Sequence, residues 1–320
     1  MNAKEFIKYL LFGTVFPEEY LCLPSNEIGS DLTLELQLKN GTVLDITMQH
    51  LFIGYKPVIL GVLLDPEALD TEGIVLIRLF HALKKRKISI GELRLKAFQQ
   101  VPFQNQVCYL LEGVSGKHQL MSRFHQFTGK LLHNYKANKS DAIYFTWSTF
   151  QQVKMAYALP RAISLISLGE ENRFNMFPTD LHGLLTSNTY VISLRMQGKA
   201  FAQVDRIKKI VLCSIAAEHY KVVYGLGKRH MKDLTDVSEL PISGLYSVKY
   251  HLPLAVGTLE YRELELERII EHGVHQLLFF KVNSHVELID VPHLRHIHVS
   301  YAHYRRRNKM QTNYLIRNAS

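Results

Sequence analysis

The stretch Asn175-Met176-Phe177-Pro178-Thr179-Asp180-Leu181-His182-Gly183 decides how the rest of the chain is read. It follows a strand-like run, Ala162 to Leu168, and precedes another, Thr189 to Met196. A knot of apolar and polar residues, broken by Pro and Gly between two strands, is where β-barrels carry ligand contacts. Thr179 and the local N–H groups offer an edge to an anion or a heterocycle, and Asp180 offers an acceptor. The alternative is a tight inter-strand connection that binds nothing. In Tyr190-Val191-Ile192-Ser193-Leu194-Arg195, period-two alternation puts Val191, Ser193 and Arg195 on one face. Gly198-Lys199 follows, and helical spacing (Ala200, Phe201, Val204, Ile207) begins at once. Helix N-termini bind phosphate through free N–H groups and the positive end of the dipole. Ser193, Arg195, Lys199 and this helix start read as a phosphate cradle, set against the plainer reading of surface cations beside a turn.

Working outward, the second half is β-rich. Ala162 to Leu168, Thr189 to Met196, Ile210 to Ile215, Leu254 to Leu266, Gln276 to Ser284 and His296 to Tyr301 carry strand character. A second helix is expected from Tyr220 to Met231. Many strands with few helices imply a closed or partly closed barrel, because closure removes exposed edges. The first half reads as mixed α and β. Leu32, Leu34, Leu36 and Leu38 alternate with polar residues, and Lys39-Asn40-Gly41-Thr42 signals a hairpin into Val43 to Met48. Gly73 to Lys85 has helical spacing, as does Ser122 to Leu132, with Phe124, Phe127 and Leu131 on one side. Composition shifts near Ser148 to Tyr157, which divides the chain into 1–150, an α+β domain, and 151–320, the barrel domain. Gly116-Lys117-His118-Gln119-Leu120 echoes Gly273-Val274-His275-Gln276-Leu277 and leaves open that 1–150 is a diverged barrel repeat.

Bulk composition narrows the function classes. A hydrophobic content of 47% fits a packed globular protein and argues against disorder. The longest apolar runs, such as Val58 to Leu64, are too short to span a bilayer, so no membrane partner is expected. The start reads as an amphipathic helix, not a secretory signal. Cys22, Cys108 and Cys213 lie too far apart for a disulfide framework or a CxxC metal site, so a cytoplasmic setting is expected. The net charge of +9 favours anionic partners, but no nucleic-acid-binding motif accompanies it.

The second half, from Pro160 to about Asn308, resembles the flavin reductase-like family, the FMN-binding split barrels that include flavoredoxin. Leu159-Pro160-Arg161-Ala162 is similar to the family's opening Pro-Arg strand, and Asn175 to Leu181 to its Asn-x-x-Pro-[Ser/Thr] segment. Tyr190 to Arg195 with Lys199 resembles the strand and phosphate turn, and Leu252 to Glu260 the late core strand. Gly273 to Val282 resembles the Gly-Asp-His strand. The resemblance implies a mixed α+β chain with an FMN-binding split β-barrel in its C-terminal half and an additional α/β N-terminal domain. It implies FMN held by Asn175, Pro178, Thr179, Asp180 and Leu181 along the isoalloxazine and by Ser193, Arg195 and Lys199 at the phosphate. His275 would stand near the pocket or a dimer seam. It further implies a homodimer, a redox partner, and NADH or NADPH as transient donor. Two departures bear on this: Ala200-Phe201 stands where the family has a Thr, and Val274 where it has an acid. A scaffold with a degenerate flavin pocket, serving as a ligand- or partner-binding module, is the competing expectation.

Flavin chemistry needs binding and orientation from the protein more than a general acid or base. That suits a chain with no GxSxG elbow, no GxGxxG and no complete P-loop around Gly225-Leu226-Gly227-Lys228. His293, His296, His298 and His303 crowd one segment, which raises a metal reading that lacks a nearby Cys. An anion-binding surface with Arg295 and Arg305 is the other use of these histidines.

Overall fold

The computed structural model describes residues 2–14, 19–24, 32–70, 72–83, 86–103, 105–138, 143–309 and 314–317. After helix α1 (Ala3–Phe12) come β1 (Glu19–Pro24), β2 (Leu32–Gln37), β3 (Val43–Asp45), β4 (His50–Tyr55), β5 (Val58–Leu64), β6 (Ile74–Leu83), β7 (Arg86–Phe103) and β8 (Gln106–His118). Helices α2 (Arg123–Ala137) and α3 (Trp147–Ala156) lead to β9 (Arg161–Ala162), β10 (Ser164–Glu170), β11 (Arg173–Thr179), β12 (His182–Thr186) and β13 (Thr189–Arg195). Then follow α4 (Lys199–Ile207), β14 (Lys209–Ile215), α5 (Tyr220–Gly225), β15 (Ile242–Tyr246), β16 (Pro253–Ala255), β17 (Thr258–His272) and β18 (His275–Glu287). The chain closes with β19 (Leu294–His298), α6 (Val299–Arg307) and β20 (Tyr314–Arg317).

The described residues form mostly antiparallel sheet with some helices. One seven-stranded sheet has the order β3-β2-β6-β7-β8-β5-β4, and a second has β11-β10-β14-β17-β18-β13-β12. The second order repeats the first strand for strand. The irregularities repeat too. Ile90 is skipped in the β6–β7 pairing and Leu259 in β14–β17. Phe98 and Val114 are skipped between β7 and β8, as Glu267 and Asn283 are between β17 and β18. Ile53 is skipped between β4 and β5, and Leu185 between β12 and β13. Bulges bend strands and strengthen twist, so shared bulges give shared curvature.

The second sheet rolls up, for a geometric reason. Strands β11 and β12 are opposite edges of a seven-stranded sheet, yet only Asp180 and Leu181 join them. Three Cα steps reach at most ~11 Å. A flat sheet of that size would hold its edges ~29 Å apart. The edges therefore curl toward each other, and Asp180-Leu181 bridges the gap between them.

Three apolar clusters fill the two sheets. The first, inside the β2–β8 sheet, takes Leu34, Leu36, Ile77, Leu93 and Tyr109, with α3 residues Phe150, Val153 and Met155. It also recruits Leu181, Ile297, Tyr301 and Ala302 from far along the chain. The second and third lie on the two faces of the β10–β18 sheet. A fourth joins the halves, packing Ile53, Ile59, Cys108 and Leu110 against Leu185, Val191, Leu277 and Phe279. The bulge residues Ile53 and Leu185 both point into it. A four-stranded sheet, β20-β1-β19-β9, ties the first strand to the last two.

Several local expectations change. Gly73 to Lys85 is largely strand β6, not helix. Val75, Ile77, Leu79 and His81 are buried while Ile74 and Ala82 are exposed, a period of two hidden by apolar residues on both faces. His296 to Tyr301 is strand only to His298 and continues as α6. Tyr220 to Met231 is a short α5 followed by a 3-10 turn. The Gly-x-His-Gln-Leu echo does not mark equivalent places: the first copy closes β8 and the second spans the start of β18. The strand order and bulges, not that echo, relate the halves.

Candidate functional site

Alternation along β13 holds as expected. Tyr190, Ile192 and Leu194 pack into the third apolar cluster. Val191 faces the other half, and Ser193 shares its side of the strand. Antiparallel pairing with β18 sets Arg195 opposite His275 and Ser193 opposite Leu277. Ser193 and His275 thus meet diagonally, with Oγ 2.9 Å from Nδ1. His275 is fully buried, and its Nε2 accepts the backbone N–H of Tyr55 at 3.1 Å. Because Nε2 accepts, the neutral ring carries its proton on Nδ1 and donates it to Ser193 Oγ. Burial, helped by the Arg195 charge, pushes His275 down to about 4. The Tyr55 ring stands edge-on to the imidazole at 4.6 Å, and Val274 N–H donates to Lys56 O at 3.1 Å. His275 is thus a staple between the halves, and it has partners without the family's neighbouring acid.

Around the staple lies an aromatic and cationic seam. The exposed Arg195 guanidinium is 5.3 Å from the Tyr55 ring. Arg161, buried on β9, is 3.0 Å from Asp180 and lies over Tyr157 at 4.3 Å and Phe52 at 5.1 Å. Asp180, Ser193, Arg195 and His275 are therefore brought together, with Tyr55 and Arg161 between them. Burial raises the Tyr55 phenol above its ordinary pKa.

The remaining nominated residues point elsewhere. Asn175 is fully buried and donates to Gln203 Oε1 at 2.9 Å and to Arg229 O at 3.1 Å. It ties the 227–231 turn to the sheet. Lys199 pairs with Asp233 beside a cleft of about 510 Å³ that is also lined by Glu171, Arg173 and the Arg206–Glu170 pair, 2.6 Å apart. Helix α4 starts at Lys199 with Gly198 as an N-cap that lends no side chain. Pro178 and Thr179 lie in β11, paired with Leu165 and Ser164. Leu181 is buried in the first core, and its carbonyl accepts Ser193 N–H at 2.8 Å. The expected phosphate cradle is thus divided. Ser193 serves His275, Arg195 lies over Tyr55, and Lys199 serves Asp233. As placed, this set does not fit a flavin.

Nothing in the local sequence singles out Tyr55, Phe52 or Tyr157, and Arg161 shows only as part of the Pro-Arg strand. Tyr55 lies 220 residues from His275, so no local spacing announces it. The side chains of His296 and His298 lie outside the described residues. Elsewhere, Glu260, His285 and Glu287 approach within 4.8 Å. Burial would raise Glu260, but hydrogen bonds from Arg262, His285 and Ser214 outweigh it and hold the carboxyl at about 2. Arg262 already neutralises that carboxylate. Cys108 and Cys213 are buried free thiols, which burial pushes up to about 12 and about 11.

No protein-family model and no curated protein matches the chain. Solved structures similar to it include flavin reductases and an FMN-binding protein. An FMN-binding protein from Thermus thermophilus is 18% identical, with 40% of this chain and 72% of that one covered and a TM-score of 0.36. An NADH:FAD oxidoreductase from Streptomyces globisporus is 12% identical, with 47% and 88% covered and a TM-score of 0.41. The styrene monooxygenase flavin reductase from Pseudomonas putida is 14% identical, with 43% and 88% covered and a TM-score of 0.36.

Proposed function

We propose that the protein is a binding module on a doubled split-barrel scaffold, and that it does not transfer hydride through a flavin seated among the nominated residues. One observation carries this reading: the Ser193–His275–Tyr55 staple uses the hydroxyl and imidazole that a flavin would need. Breaking it would leave the buried Tyr55 N–H unsatisfied, at a cost of about 1–3 kcal/mol. Asn175 and Lys199 are likewise engaged inside the chain. The test is a fluorescence-quenching titration with FMN and riboflavin. The expected result is a colourless protein that quenches neither ligand saturably. Saturable, stoichiometric FMN uptake would overturn the reading.

A second reading keeps flavin binding, and the exposed Arg195 beside the Tyr55 ring favours it. A guanidinium at the lip of an aromatic seam suits a phosphate tail next to a planar ring. On this reading Arg195→Ala weakens FMN more than riboflavin, because only FMN carries the phosphate. Equal losses for the two ligands would count against it.

A further inference from the structure

Helix α2 is built inside out. Its buried residues are Gln126, Asn134 and Ala137, and both amides are hydrogen-bonded. Gln126 donates to Met121 O at 2.8 Å and accepts from Gln151 at 2.9 Å. Asn134 exchanges two hydrogen bonds with the Phe145 backbone at 3.0 Å. Its outward stripe is apolar: Phe124, Phe127, Leu131 and Tyr135 are 50–58% exposed. The spacing is helical, so these side chains form one continuous ridge. Helix α1 extends the surface. It buries no side chain, leaves Phe6, Ile7, Tyr9 and Leu10 more than half exposed, and docks through Leu10 O, which meets His125 Nε2 at 3.2 Å. Isolated exposed apolar residues need no explanation, but a contiguous patch of this kind marks an interaction surface.

Charge selects the occupant. Lys4, Lys8, Arg123, Lys130 and Lys136 flank the ridge, and between Gly113 and Asn138 the chain has no Asp or Glu. Glu5 is the one acid in α1, and the capping box uses it. A second copy meeting this face would set cations against cations. An anionic layer complements it. Tyr side chains and Lys stems also suit a boundary that is apolar below and wet above. Lys130 Nζ lies 5.8 Å over the exposed Tyr144 ring in that manner. We propose that the α1–α2 face seats the protein on the surface of an anionic lipid bilayer. The short apolar runs that argued against a membrane argue only against spanning one. Interfacial helices lie in the plane and need no such length.

Flotation of the full chain tests this with vesicles of phosphatidylcholine alone and of phosphatidylcholine with phosphatidylglycerol at three to one. The protein is expected to float with the anionic vesicles only, and less so as salt rises. Lys130→Gln should lower the partition coefficient roughly fivefold, the factor that corresponds to about 1 kcal/mol per basic residue near such a surface. Phe127→Ser with Leu131→Ser should abolish flotation and leave the melting temperature unchanged. If that pair fails to fold, Leu10→Ser on α1 puts the same question. Flotation with neither vesicle, equal flotation with both, or a solution dimer that Phe127→Ser dissociates would overturn the proposal.

Discussion

His275 illustrates how much one ring does at this seam. It holds Ser193 on its own sheet and the Tyr55 backbone on the other. Ser193→Ala and His275→Leu should each cost about 1–3 kcal/mol in urea unfolding, since the first strands the buried His275 Nδ1–H and the second the Tyr55 N–H. The ring also makes stability depend on pH. Burial depresses His118, His182 and His275 from 6.5 to about 4, and lowers His50 as well. The unfolded chain then binds more protons than the folded one between these values. Stability is fully present above pH 6.5 and is lost as pH falls toward 4, by up to about 1.4 kcal/mol per pH unit for each histidine. Glu260, held at about 2, contributes a separate loss at lower pH, from its ordinary 4.5 downward. Urea midpoints measured from pH 8 to pH 4 should be level and then fall below 6.5. A level line down to 4.5 would mean that these rings are not held neutral. His275 could be singled out from sequence, but its partner Tyr55 could not, because the fold alone brings them together.

Elements differ in how openly they are written. Strand β2 shows its face because apolar and polar residues alternate, and β13 shows Ser193 and Arg195 on one side for the same reason. Strand β6 hides its period because both faces carry apolar residues. Helix α2 was legible as a helix, but not which side faces inward: its apolar stripe looks like a core face and lies outside. The doubled strand order was not legible either. Sheet pairing sets it, through register and bulges, and these leave no fixed residue type behind. The turn between β17 and β18 gives a test at this scale. Gly273 has φ +63°, and an added Cβ would lie 2.4 Å from Lys56 O on the other half. Gly41 has φ +86° with nothing within 4 Å. Gly41→Ala should therefore cost only the left-handed penalty of about 1–2 kcal/mol. Gly273→Ala should cost clearly more, because backbone must move at the seam. Thermal unfolding of the two variants makes the comparison, and equal losses would contradict the close approach.

At the scale of the whole molecule, the two sheets are joined by shared side chains, not merely by a tether. The fourth cluster draws on both halves, and the first completes itself with Ile297, Tyr301 and Ala302. Removing every residue after Asp290 takes away β19, α6 and β20. Hydrogen exchange in such a shortened chain should show lost protection in residues 32–64, at the opposite end of the sequence. Retained protection there would mean that the first core stands without its distant contributors.

The path of the chain also sets an order of events in the cell. The β2–β8 sheet is translated well before Ile297, Tyr301 and Ala302, the side chains that finish its interior. At ~5–20 residues per second, the gap lasts on the order of ten seconds or more. Throughout that interval an unfinished apolar cavity is open to whatever surrounds the nascent chain. A chaperone that shields it has its reason in the position of α6.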